Sequence, residues 1–194
     1  MPESFLLKYV RERDQGELDA YVARGGYEGL RRALAMAPEQ VTDEVEQSGL
    51  RGRGGAGFGT GRKWKFLPRD PGVTKYLVVN ADEGEPGTFK DRTLLEGDPH
   101  RLLEGIVIAS YAIGAHQAFI YLRREFHLAR AAVDPAARPA TLATMSGKTG
   151  ERGNEETGDL WLESQGAPDI RLPGRQELYA PIPIVHIYRI WRIS

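Results

Sequence analysis

Apolar positions follow two rhythms along this chain, a helical one near the start and a short unbroken one in the middle. Tyr27, Leu30, Leu34 and Met36 recur at near-helical spacing in a segment rich in Ala, Arg and Glu, with Gly25-Gly26 before it. Pro38 opens a second helix in which Val41 and Val45 lie one turn apart, and Gly49 ends it. Pro68-Arg69-Asp70-Pro71-Gly72 reads as a turn, and Lys75-Tyr76-Leu77-Val78-Val79-Asn80 as a short buried strand.

Asp98-Pro99 sets an N-cap acid and a first-turn proline before Leu102, Ile106, Ala109 and Ile113, which share one helix face that Gly114 closes. Ala118-Phe119-Ile120-Tyr121-Leu122 is a second β-prone run, so residues 75–122 form a strand, loop, helix and strand of the parallel crossover kind. The expected fold class is α/β. From about Val133 the pattern weakens: residues 134–139 resemble a linker, and Ser146 to Asp159 is polar and glycine-rich. Ile182 to Ile193 is β-prone again, either a strand or an exposed terminus. The chain thus divides into a helical segment 1–49, an α/β unit 50–132 and a divergent tail 133–194.

A length of 194 residues suits one domain with a sizeable core. Lys and Arg number 26 against 27 Asp and Glu, a net charge of -1, so no long-range field gathers nucleic acid or anionic lipid. The chain holds no cysteine, which excludes disulfides, thiolate catalysis and any iron–sulfur cluster held by thiolates of this chain. Met1 to Asp14 lacks the layout of a secretory signal. The apolar run Ile106 to Ile113 is far short of the roughly 20 residues that cross a bilayer, so a cytoplasmic location is expected.

The chemistry concentrates in two loops. Five of the ten residues from Leu50 to Gly59 are glycine, and Arg51, Arg53, Arg62 and Lys63 lie among or just after them. Without Cβ atoms, successive N–H groups can turn onto one concave face and hold an anion, which points to a phosphate. Gly52-x-Gly54-x-x-Gly57 matches the dinucleotide fingerprint in spacing, but a helix precedes it where that motif needs a strand. A flexible or nucleic-acid-binding Arg/Gly segment is the competing reading, and Phe58, Trp64 and Phe66 weigh against it. Ser146-Gly147-Lys148-Thr149 mimics a P-loop ending but has Leu142 where the motif needs glycine.

The second loop, Asn80 to Arg92, follows the first strand and carries Asp82, Glu83, Glu85 and Asp91. Ligands of open parallel sheets bind at that end of a strand; the bland alternative is a solvated turn. Together the loops suit one nucleotide, with backbone donors from Gly52 to Gly57 and Lys63 on phosphate and Asn80, Asp82 and Glu83 on a polar ring system. Phe58 and Phe66 either stack on a planar ring or belong to the core.

The run from Gly25-Gly26-Tyr27 through Ser48-Gly49-Leu50-Arg51-Gly52-Arg53-Gly54-Gly55-Ala56-Gly57-Phe58, Lys63-Trp64 and Val79-Asn80-Ala81-Asp82-Glu83-Gly84-Glu85-Pro86-Gly87-Thr88-Phe89-Lys90-Asp91-Arg92 resembles the flavin-binding, NADH-oxidising subunit of respiratory complex I. NAD-linked hydrogenases and formate dehydrogenases share that subunit, and the likeness extends over about residues 21–126. The resemblance implies a Rossmann-like, mostly parallel sheet with an N-terminal helical segment, truncated relative to the family. It implies FMN held by Gly52, Gly54, Lys63, Asn80, Asp82 and Glu83, and NADH against Gly55, Ala56 and Phe58, with Phe66 at the adenine and Glu85, the implied catalytic residue, at the nicotinamide end; Arg53 and Gly57 complete the implied cofactor-binding set.

Gly59 stands where the family usually has proline. The family's second flavin loop and its cysteine-rich cluster domain are not matched; Asn154-Glu155-Glu156-Thr157 and Arg171-Leu172-Pro173 echo fragments of it. The resemblance therefore implies other subunits of a multi-subunit NADH-oxidising complex as partners, including one with iron–sulfur clusters, and a place at the inner face of a membrane through those partners. The alternative is a truncated member acting only as a noncatalytic nucleotide-binding or interaction module.

Overall fold

A computed structural model of the chain describes residues 5–53, 56–70, 72–115, 117–136 and, in backbone, 184–189. The elements run α1 (Leu18–Ala23), α2 (Glu28–Leu34), α3 (Pro38–Gln47), α4 (Thr60–Lys65), β1 (Tyr76–Ala81), α5 (Lys90–Gly97), α6 (Pro99–Ile113), β2 (Gln117–Leu122), α7 (His127–Ala136) and β3 (Ile184–Arg189). The strands form one parallel sheet in the order β1-β2-β3, with Tyr76 opposite Gln117 and Gln117 opposite Ile184. The α/β expectation holds, and the run beginning at Ile182 supplies the third strand.

Period-two alternation divides the faces of β1. Ala81 of β1 and Ala118, Ile120 and Leu122 of β2 turn toward Leu95 of α5, Leu103 and Ile106 of α6, and Ala129 and Val133 of α7, with Leu77 and Val79 packed against this core. Tyr76 and Val78 face the other way and are 54% and 65% exposed, which corrects the expectation of a buried strand: the described helices cover one face of the sheet only. Helix α7 runs through Ala136, past the point near 133 where the sequence suggests a linker, because Ala129, Val133 and Ala136 recur at helical spacing on the core side.

Helix α6 ends as expected, with Gly114 left-handed at φ 71°. Its start differs: the Asp98 carboxylate makes no cap bond and instead accepts from Arg101 Nε at 2.8 Å. The N-terminal helices dock on α6 through Glu104, whose carboxylate accepts the N–H of Tyr27 at 3.0 Å, the N–H of Leu30 at 3.0 Å and the hydroxyl of Tyr21 at 2.5 Å. This carboxylate satisfies amides at the start of α2 and complements that helix's dipole. Tyr27, left-handed at φ 59°, precedes α2 and gives its buried hydroxyl to His100 Nδ1 at 2.9 Å.

Candidate functional site

The glycine loop is pinched into a hairpin. Gly52 donates its N–H to the Phe58 carbonyl at 2.9 Å and Thr60 donates to Leu50 at 2.8 Å, flanking an antiparallel bridge between Arg51 and Gly59. The amide of Gly52, expected in an anion nest, is therefore spent on closing the loop. At that tip Gly57 takes φ +61°, and a Cβ built there meets nothing within 4 Å, so a ligand has open access to the backbone. Arg53 and Ala56 are exposed, and Gly54 and Gly55 lie outside the described residues.

Helix α4 anchors this hairpin. A Cβ on Gly61 would come within 2.3 Å of the Glu46 nitrogen, so only glycine lets α4 lie this close against the end of α3. Lys65 binds back to Asp43 at 2.7 Å and to Glu46, and these acids, Asp43 first, raise its pKa. Lys63, expected at the phosphate, remains exposed on the same helix. The rings of Phe58 and Phe66 meet at 5.9 Å with a 47° tilt, 44% and 67% exposed, and Arg62 lies over Phe58 at 5.8 Å. Their exposure removes the core reading of both rings.

The acidic loop begins where β1 ends. Asn80 is exposed and its Oδ1 accepts the Asp82 N–H at 3.0 Å, which turns the chain sharply and leaves the Asp82 carboxylate on the surface. Glu83, expected beside a flavin ring, points elsewhere: its side chain is 1% exposed and accepts the N–H groups of Asp91 at 2.9 Å and Arg92 at 3.3 Å. Those amides open α5, so Glu83 serves as that helix's anchoring carboxylate. Glu85 is exposed, with its carbonyl accepting from Thr88 N–H at 3.2 Å and Thr88 Oγ at 2.5 Å across a turn in which Gly87 takes φ +83°.

One cation at this end was absent from the sequence-based set. Arg123, the first residue past β2, donates from Nη1 to the Glu83 carbonyl at 3.3 Å and places Nε 3.8 Å from Asp82. The signal that finds it is the parallel pairing of the strands, which sets the residue after Leu122 beside the residue after Ala81. A cavity of about 450 Å³ also opens between β1 and helices α5 and α6, lined by Leu77, Val79, Leu102 and Ile106 with Asn80 and Asp91. Its largely apolar wall suits no phosphate, and the described glycine-loop residues take no part in it.

These features define a parallel α/β protein with a glycine hairpin set on a short helix and an exposed Asn/Asp turn at the carboxyl end of its first strand. Residues 45–160, which include both loops, match the family model of the Nuo51 FMN-binding domain, and the chain belongs to that family. It is 50% identical over 143 residues to a subunit of the NADH-quinone oxidoreductase of Aquifex aeolicus, covering 72% of this chain and 33% of the relative. The corresponding protein of Streptomyces coelicolor is 55% identical over 137 residues, covering 71% and 30%. That of Escherichia coli is 44% identical over 152 residues, covering 76% and 34%. Among solved structures, the NAD+-reducing NiFe-hydrogenase in its air-oxidized state superposes with a TM-score of 0.57 at 36% identity, covering 72% of this chain and 23% of the other. The chain spans about a third of the length of these curated relatives. No described helix is long and apolar enough to cross a membrane.

Proposed function

We propose that this chain holds FMN and presents it to NADH for hydride transfer, as the flavoprotein component of a multi-subunit NADH-quinone oxidoreductase. The observation that carries this reading is the exposed Asn80–Asp82 turn at the end of β1, set within the segment that matches an FMN-binding family. The described residues fit such a group: the Gly57 backbone faces open space, Lys63 is an exposed cation, and Asn80 and Asp82 are exposed polar groups at the sheet end where ligands of parallel sheets gather.

In this reading the hairpin tip, Arg53 to Gly57, supplies backbone donors and Lys63 supplies charge to the phosphate, while Gly52 holds the tip in shape. Asn80 and Asp82 orient the ring system, and Glu83 acts through α5 rather than by contact. Ala56 and Phe58 face NADH; the adenine stacks on an outward face of Phe58 or Phe66, because the two rings already touch each other at a tilt. Glu85, exposed on its turn, faces the nicotinamide end and acts as a positioning carboxylate. The flavin supplies two-electron acceptance, and the protein supplies placement and electrostatics. The 194 residues hold no cysteine, so they ligate no iron–sulfur cluster through thiolates, and electrons pass from the flavin to a cluster held outside this segment.

Titration of the purified protein with FMN, followed by quenching of flavin fluorescence and by melting temperature, tests this. A ligand at 100 times its dissociation constant adds about 2.7 kcal/mol of stability. Saturable quenching with that shift is the expected result; a protein that neither quenches nor gains stability is instead a noncatalytic interaction module.

A further inference from the structure

We propose that Arg123 is a positioning residue for the flavin-facing turn, an inference that rests on the FMN reading above. Parallel pairing ends level, with Ala81 opposite Leu122, so the residues that follow the two strands emerge side by side. Arg123 uses that adjacency: Nη1 donates to the Glu83 carbonyl at 3.3 Å, and Nε lies 3.8 Å from Asp82 Oδ1 and 3.4 Å from Glu125 Oε2. The turn passes flush against the guanidinium, since a Cβ on Gly84 would come within 3.3 Å of Arg123 Nη1.

Residue 83 is thereby gripped from two directions, its carbonyl by Arg123 and its carboxylate by the first amides of α5. Asp82, between these anchors, has its own N–H on Asn80 and its carbonyl on the N–H of Gly84 at 3.1 Å. Asn80 and Asp82 therefore project from a turn whose path is set by a cation on the neighbouring strand. A planar guanidinium suits this task because Nη1 donates to the carbonyl while Nε, fixed in the same plane, donates to Glu125 and brings its charge beside Asp82.

Two measurements on the full chain test the role. In the ligand-free protein, Arg123→Ala speeds hydrogen exchange of the Asp82 and Gly84 amides; in the FMN titration, it weakens binding about tenfold, the loss expected for a charge-assisted hydrogen bond. Arg123→Lys, which restores a cation and one donor, recovers part of that loss. Arg123→Gln keeps much of the length without the charge and shows the same weakening if the alanine variant does not fold. FMN affinity unchanged in Arg123→Ala or Arg123→Gln overturns the proposal while leaving the flavin site standing, as does a lysine variant as weak as alanine. A wild-type chain that takes up no FMN overturns the flavin reading and this proposal with it, and that result is read before any variant is made.

Discussion

The backbone N–H of Asp91 donates to the carboxylate of Glu83 at 2.9 Å, joining the start of α5 to the turn that follows β1. Through this bond the acidic loop is fixed to a helix of the core rather than left free in solvent. Glu83→Ala removes the acceptor of two helix-opening amides and costs about 1–2 kcal/mol. For a chain of this length the melting temperature falls by roughly 2–8 °C, which differential scanning calorimetry measures. Glu85→Ala, on the exposed turn, leaves it within about 1–2 °C.

Gly59 has φ -63° and ψ 123°, values that proline adopts without strain, and its N–H appears in none of the hairpin's hydrogen bonds. Gly59→Pro therefore stabilises the protein by about 0.4–1 kcal/mol, chiefly by narrowing the unfolded ensemble. Equilibrium urea unfolding reads this as a higher midpoint with an unchanged slope.

Gly61→Ala has the opposite sign. Its methyl would stand 2.3 Å from the Glu46 nitrogen and 2.6 Å from its Cα, backbone atoms that yield only if α4 moves off α3. Overpacking of this kind costs about 1–3 kcal/mol. Because α4 carries Lys63 and follows the hairpin, FMN affinity falls together with stability in the same protein preparations.

His100 links the packing of the N-terminal helices to pH. The Gly16 carbonyl, 3.0 Å from Nε2, can only accept, so the ring proton sits on Nε2 and Nδ1 receives the Tyr27 hydroxyl. Burial lowers the pKa of His100 from 6.5, against the opposing pull of Gly16, Asp98 and Glu17. The unfolded chain thus binds this proton more readily than the folded one. The stability from neutral His100 is fully present above pH about 6.5 and is lost as pH falls from there through the lower, folded value. Between pH 7 and 5, wild type loses more stability than His100→Gln in urea titrations at each pH; equal slopes contradict the assignment.

The sheet was legible because its signals are local. An unbroken apolar run at 76–79, a proline-opened helix closed by Gly114 and a second apolar run at 118–122 name a crossover unit without any distant contact. Helix α4 was not, since Thr-Gly-Arg-Lys-Trp-Lys has no apolar period and holds its shape through Gly61 and Lys65 against α3. Asn80 and Asp82 stood out by position after a strand, and they are exposed there. Glu83 looked the same in sequence but turns inward, because only the folded chain reveals that α5 starts within reach of it. Arg123 and Glu104 stayed hidden for the same reason, being cation and carboxylate whose partners lie 40 and 77 residues away.

Whether these loops hold FMN where NADH can reduce it is decided by anaerobic addition of NADH to the FMN-loaded protein. The visible absorbance of the bound flavin bleaches at a rate that saturates with NADH, and Glu85→Gln slows the bleaching while retaining the flavin. Bound FMN whose spectrum is indifferent to NADH refutes the hydride-transfer assignment.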